Sequence, residues 1–146
     1  MTTKKTRGPA EAVAQAAVLK PKLEAAADKL NGKISDFESA LKGLKLGVLA
    51  EVPLWITTDR SNGVDLQFTK WGADWRLVVK SWDDSNDARF ELLLNTSRES
   101  RLQAVAAFPR LVDALVDEAE HELERISSSS ASVDSLVASL RTGAKS

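Results

Sequence analysis

The sequence predicts an α+β protein. It reads as an N-terminal helix, kinked or in two pieces, a four-stranded antiparallel β-meander, and a long C-terminal amphipathic helix packed on one sheet face. A short further helical segment is expected at the end. Three observations carry this prediction. Apolar residues recur at alternating spacings of four and three from Leu23 to Val48. The period falls to two between Leu54 and Asn95. Helical spacing then returns from Leu102 onward.

Residues 1–8 read as a flexible tail. Pro9 suits the first turn of a helix, with Glu11 close behind to complement its dipole. Pro21 is expected to kink or end that first piece, because its ring removes a backbone donor. Leu23, Leu30, Phe37 and Leu44 then mark one stripe, with Ala27, Ile34, Leu41 and Val48 between them. Asn31-Gly32, followed by Ser35 and Glu38 as a capping box, offers a break near 32. The unbroken heptad favours one helix of about residues 22–46.

Four strands follow, at Leu54–Asp59, Val64–Trp71, Asp74–Trp82 and Ala88–Asn95. Arg60-Ser61-Asn62-Gly63 supplies turn chemistry, and Gly72-Ala73 suits a two-residue hairpin with glycine first. That hairpin sets a register. Trp71 pairs with Asp74, Thr69 with Arg76, Gln67 with Val78 and Asp65 with Lys80. On the other face Lys70 pairs with Trp75, Phe68 with Leu77, Leu66 with Val79 and Val64 with Ser81. One face is then largely apolar and the other largely polar, and a one-residue slip destroys the separation. In the fourth strand Ala88, Phe90, Leu92 and Leu94 are read with the apolar face. Arg89, Glu91, Leu93 and Asn95 are read with the polar one.

Thr96-Ser97-Arg98-Glu99 has capping-box character and opens the long helix, expected over 97–126. Its seam reads Leu102, Val105, Pro109, Val112, Val116, Ala119, Leu123 and Ile126, widened by Ala106, Phe108, Leu111 and Leu115. Pro109 is expected to kink it. Ser127–Ser132 reads either as a flexible joint or as a weak stretch of helix, between the domain of residues 9–126 and a short amphipathic segment near 132–141, and residues 142–146 read as a tail. Val133, Val137 and Leu140 keep the heptad phase across it.

Composition excludes several kinds of function. The chain has 146 residues, 28% of them charged, and a formal net charge of -1, so no global field draws it to nucleic acid or an anionic membrane. It has no cysteine, which removes disulfides, thiolate metal sites and cysteine nucleophiles. No segment reaches the roughly 20 apolar residues of a membrane span, and none after the basic N-terminus resembles a signal peptide. A cytoplasmic location is the reading that fits.

Chemistry-bearing motifs are sparse. His121 is the single histidine, off the seam among acidic residues, and reads as solvated rather than as a ligand with Asp117 or Glu124. Asp83, Asp84, Asp87 and Glu91 lack the spacing of a calcium loop and read as a turn. There is no phosphate loop and no nucleophile elbow. Arg98 and Arg101 suit an anion less well than a neighbouring carboxylate. No cofactor, metal or catalytic set is expected.

Two surfaces remain. Trp71 and Trp82, with Arg76, Val78, Lys80, Arg89 and Leu93, form a patch of aromatic and basic residues on the polar sheet face, either open to a partner or covered by the N-terminal helix. Such patches bind proteins, Trp and Arg being enriched in binding hot spots, or stack single-stranded bases. Asp83, Asp84 and Asp87 nearby argue against nucleic acid. The helix seams, at Leu23, Leu30, Phe37 and Leu44 and at Val116, Leu123 and Ile126, suit a second helix. The expected function is a non-enzymatic interaction module of the adaptor, chaperone or antitoxin kind, homodimeric or bound to a protein partner. A small-ligand binder or an enzyme with an unrecognised pocket is the remaining alternative.

Overall fold

A computed structural model describes residues 6–85 and 87–144. The element order is helix α1 (Pro9–Leu44), strands β1 (Ala50–Ile56), β2 (Gly63–Trp71), β3 (Asp74–Trp82) and β4 (Ala88–Leu92), a 3-10 turn (Leu93–Asn95), and helix α2 (Arg98–Ala144). The fold is therefore α+β, with one antiparallel sheet in the order β1-β2-β3-β4. The chain divides into two units, Met1–Leu41 and Lys42–Ser146. No helix among the described residues is long and apolar enough to cross a membrane. Part of the expected tails (1–5 and 145–146) and Asn86 of the acidic loop lie outside the described residues.

The first unit is the greater part of α1. The amide of Ala12 donates to Gly8 O at 2.9 Å and closes the first turn around Pro9. The helix continues through Pro21 and through Asn31-Gly32, so neither break proposed from the sequence is used. Proline costs the helix one hydrogen bond, and the flanking Ala, Leu, Lys and Glu residues are strong helix formers that keep the turns on either side. Along the heptad stripe Ile34 and Leu41 are buried, Leu30 and Phe37 are half-buried, and Leu23 and Leu44 at its ends are exposed.

The second unit holds the sheet and α2. The β2–β3 register matches the expected pairing at every position, from Trp71 with Asp74 to Val64 with Ser81. Gly72 (φ 64°) makes the tight hairpin possible, because a side chain is strained there. The first strand lies earlier than expected. It begins at Ala50, which pairs with Phe68, and carries an irregularity between Pro53 and Trp55. Residues 57–62 then form a turn, with Thr57 N donating to Asn62 O at 2.9 Å.

Ala50, Val52, Leu66, Phe68, Leu77 and Val79 share one sheet face and are all buried. Helix α2 packs along β1 and β2. Ser97 caps it, its hydroxyl accepting from Ser100 N at 3.2 Å, while Thr96 closes the preceding 3-10 turn on Leu93 O at 2.6 Å. The side chains it buries are Ala104, Ala107, Leu111 and Leu115. This corrects the sequence-based seam. In its first half Leu102 and Val112 are exposed, and the stripe turned inward is the one with two alanines. Small side chains let a helix axis approach a sheet closely, and that contact outweighs the larger residues of the heptad.

Helix α2 is a single element of 47 residues, about 70 Å at 1.5 Å per residue. It passes through Pro109 and through Ser127–Ser132, so of the two readings of that run the structure has the helical one, and it extends to Ala144 into the expected tail. Serine is a tolerable helix residue when its hydroxyl is satisfied. Ser132 Oγ donates to Ser128 O at 3.1 Å, and Thr142 Oγ1 donates to Ala138 O at 2.9 Å.

Candidate interaction surface

Two sheet-face expectations need correction. Strand β4 pairs Trp82 with Ala88, Lys80 with Phe90 and Val78 with Leu92. Phe90 and Leu92 therefore lie on the Trp82 face, and Arg89 lies on the other. Leu93 is fully buried, as is Val78, so neither presents a surface. A connection of five residues, 83–87, sets that parity, and its length alone did not reveal it.

What the face does carry is a polar network. Trp82 Nε1 donates to Asp65 Oδ2 at 3.0 Å. Gln67 donates to Glu51 across the β1–β2 pair. Asp65 is 8% exposed. Burial pushes its carboxyl above the usual range and the Glu51 charge adds to that, while the Trp82 hydrogen bond and Lys80 act the other way. The Trp82 indole lies against Gly63, its cross-strand partner. A Cβ placed on Gly63 would stand 2.7 Å from Trp82 Cε2 and 3.1 Å from Trp55 O. Space for the indole thus explains Gly63, which the sequence suggested was needed for a turn. The positive φ in that connection falls on Arg60, at 61°.

Of the expected patch, Trp71 is 39% exposed, and Arg76, Lys80 and Trp82 are half-buried. Trp71 stands at the hairpin end and Trp82 at the opposite end of the same face. With Val78 and Leu93 buried and Arg89 on the other side, the seven residues do not form one surface. Trp75 packs on Phe68 with ring centroids 5.6 Å apart.

The second candidate surface is on α2. From Leu123 to Ala144 every side chain is exposed. Within that stretch Leu123 is 65% exposed, Ile126 55% and Leu140 72%. Val116, Leu123 and Ile126, the seam residues identified from sequence, begin a heptad run that Val133, Val137 and Leu140 continue on the same stripe. At its base the stripe is walled by the segment between α1 and β1. Leu46, Val48, Val116, Ala119, Leu123 and Ile126, with Glu120 and Glu122, line an apolar groove of about 480 Å³. Lys45 (φ 52°) and Gly47 (φ 67°) shape that segment. Sequence periodicity found the helical half of this groove. Leu46 was missed because it belongs to no periodic element.

Polar clusters elsewhere are modest. Lys42 Nζ bonds Asp74 Oδ2 at 2.9 Å, and Arg125 Nη1 bonds Glu122 at 2.9 Å. Arg101 donates to Leu94 O at 3.4 Å. His121 is exposed beside Glu118 and Glu122, and among the described residues no group of three His, Asp or Glu side chains is placed to hold a metal ion.

No protein-family model matches the chain, and no curated protein and no solved structure matches it.

Proposed function

We propose that this protein is a non-enzymatic interaction module whose binding surface is the apolar stripe on the second half of α2, together with the groove at its base. The single observation that supports this reading is the unbroken exposure of Leu123–Ala144 on a helix that keeps heptad spacing throughout. Most helical stability in proteins comes from packing of an amphipathic face, yet this stretch, with four consecutive serines, is exposed throughout. A contiguous exposed apolar stripe of this kind marks a partner site. The partner is a helix, because the stripe has the 3.5-residue period that only another helix matches.

Flanking charge narrows the chemistry. Residues 112–126 carry six acids (Asp113, Asp117, Glu118, Glu120, Glu122, Glu124) and one base (Arg125). A titration with a synthetic helical peptide tests the reading. The peptide has leucine at its heptad core positions and lysine at the flanks. Binding to the full chain is expected with a Kd of roughly 1–100 µM. Leu123→Glu and Ile126→Glu should each weaken it at least tenfold without altering the sheet. Absence of binding at 1 mM peptide contradicts the proposal.

A further inference from the structure

We infer that the occupant of the α2 stripe is a second copy of this chain, paired antiparallel, with the end of each α2 filling the groove at the base of the other. This rests on the stripe being a binding surface, as proposed above, and adds what binds it and in which direction.

The core positions of the stripe alternate as Val116, Ala119, Leu123, Ile126, then Ser130, Val133, Val137 and Leu140. In parallel pairing each residue meets itself. Ala119 then faces Ala119, and Ser130 faces Ser130 in the middle of the interface, which leaves two weak layers. Antiparallel pairing about residue 128 instead sets Val116 against Leu140, Ala119 against Val137, Leu123 against Val133 and Ile126 against Ser130. Every small residue then meets a larger one, and every layer has an apolar member. Complementary packing of this kind distinguishes a specific interface from a loose one.

The groove agrees with this direction. Its base holds Val116 and Ala119 and is walled by Leu46 and Val48. Antiparallel pairing delivers Leu140 and Val137 of the second copy to that place. Both are exposed and otherwise without a function in the fold, at 72% and 36%.

Charge also favours it. Residues 112–126 carry a net charge of -5 (six acids, one arginine), whereas 127–144 carry one Asp and one Arg and are neutral. Parallel pairing lays the two acidic segments side by side. Antiparallel pairing moves their centres roughly 27 Å apart at 1.5 Å per residue, beyond the Debye length of about 8 Å at physiological salt. Direct flank pairs do not choose a direction: Asp113 meets Arg141, but Glu120 meets Asp134. The paired length, residues 116–140, buries on the order of 1,000 Å², where specific interfaces begin.

The chain has no cysteine, so one introduced cysteine gives one label per copy. Ser139→Cys lies on the outer side of α2, and Glu118→Cys gives a second position. Sedimentation at about 100 µM should show a dimer that Leu123→Glu converts to monomer. Spin labels at 139 should then lie roughly 33 Å apart along the helix, and those at 118 roughly 30 Å apart. Distances of about 20 Å or less at both positions mean parallel pairing and overturn the direction. A monomer at that concentration overturns self-pairing. Neither result touches the peptide titration, which alone decides whether the stripe binds helices.

Discussion

Gly63, Trp82 and Asp65 show how single residues carry the sheet face. The indole occupies the space that any side chain at 63 would need, and its N–H is held by Asp65. Gly63→Ala should displace Trp82, break that bond and cost about 1–3 kcal/mol, read from denaturant unfolding with Trp fluorescence. Asp65 and Asp59 respond to pH with opposite signs. Asp65 has a raised pKa, so it holds its proton more tightly in the folded chain. Its ionisation costs stability above the ordinary carboxylate range, and that cost is relieved as pH falls through the raised value. Asp65→Asn keeps an acceptor for Trp82 and removes the charge beside Glu51. Stability at pH 7 should not fall, and its pH dependence above the ordinary carboxylate range should flatten. Asp59 accepts from Thr57 Oγ1, Ser61 Oγ and Ser61 N, and its pKa is lowered from 3.8 to about 2. Its contribution is complete above 3.8 and disappears as pH falls towards 2. In Asp59→Asn that segment of the acid-unfolding curve should flatten.

The elements were legible where two signals agreed. The Gly72-Ala73 hairpin and the alternation around it set the β2–β3 register, because a slip would have mixed the two faces. Strand β4 had only alternation, and a loop of uncertain turn count reversed its parity. Both helices ran further than their sequences suggested. Pro21 and the Ser127–Ser132 run are poor helix residues, yet each costs a limited amount and the neighbouring turns continue across them. The buried face of α2 was illegible for a different reason. Heptad reading ranks residues by size, whereas the contact with the sheet uses Ala104 and Ala107. The consequence for function is direct. The larger residues of the seam, from Val112 to Leu140, are left outside the core, which is what makes them a candidate surface. Of the expected sheet patch, five residues share a face, but Val78 among them is buried, and Arg89 and Leu93 lie off it, since burial and strand parity cannot be read from composition. In the proposed antiparallel pair, Ser130→Leu would place a leucine opposite Ile126 of the second copy. It should tighten self-association at least tenfold by sedimentation, and a weakening would contradict the layer assignment.

At the scale of the whole molecule, the first half of α2 builds the core of the second unit, and residues 123–144 of its second half are exposed. On the proposal above, helicity beyond residue 123 depends on association. Amide hydrogen exchange across 123–142, measured at several protein concentrations for the wild type and Leu123→Glu, tests this most directly. The account predicts protection that grows with concentration in the wild type and is lost in the variant, while β2 and β3 stay protected in both. Protection of 123–142 that is the same in dilute wild type and in Leu123→Glu would contradict it, because the helix would then be stable without anything bound to its stripe.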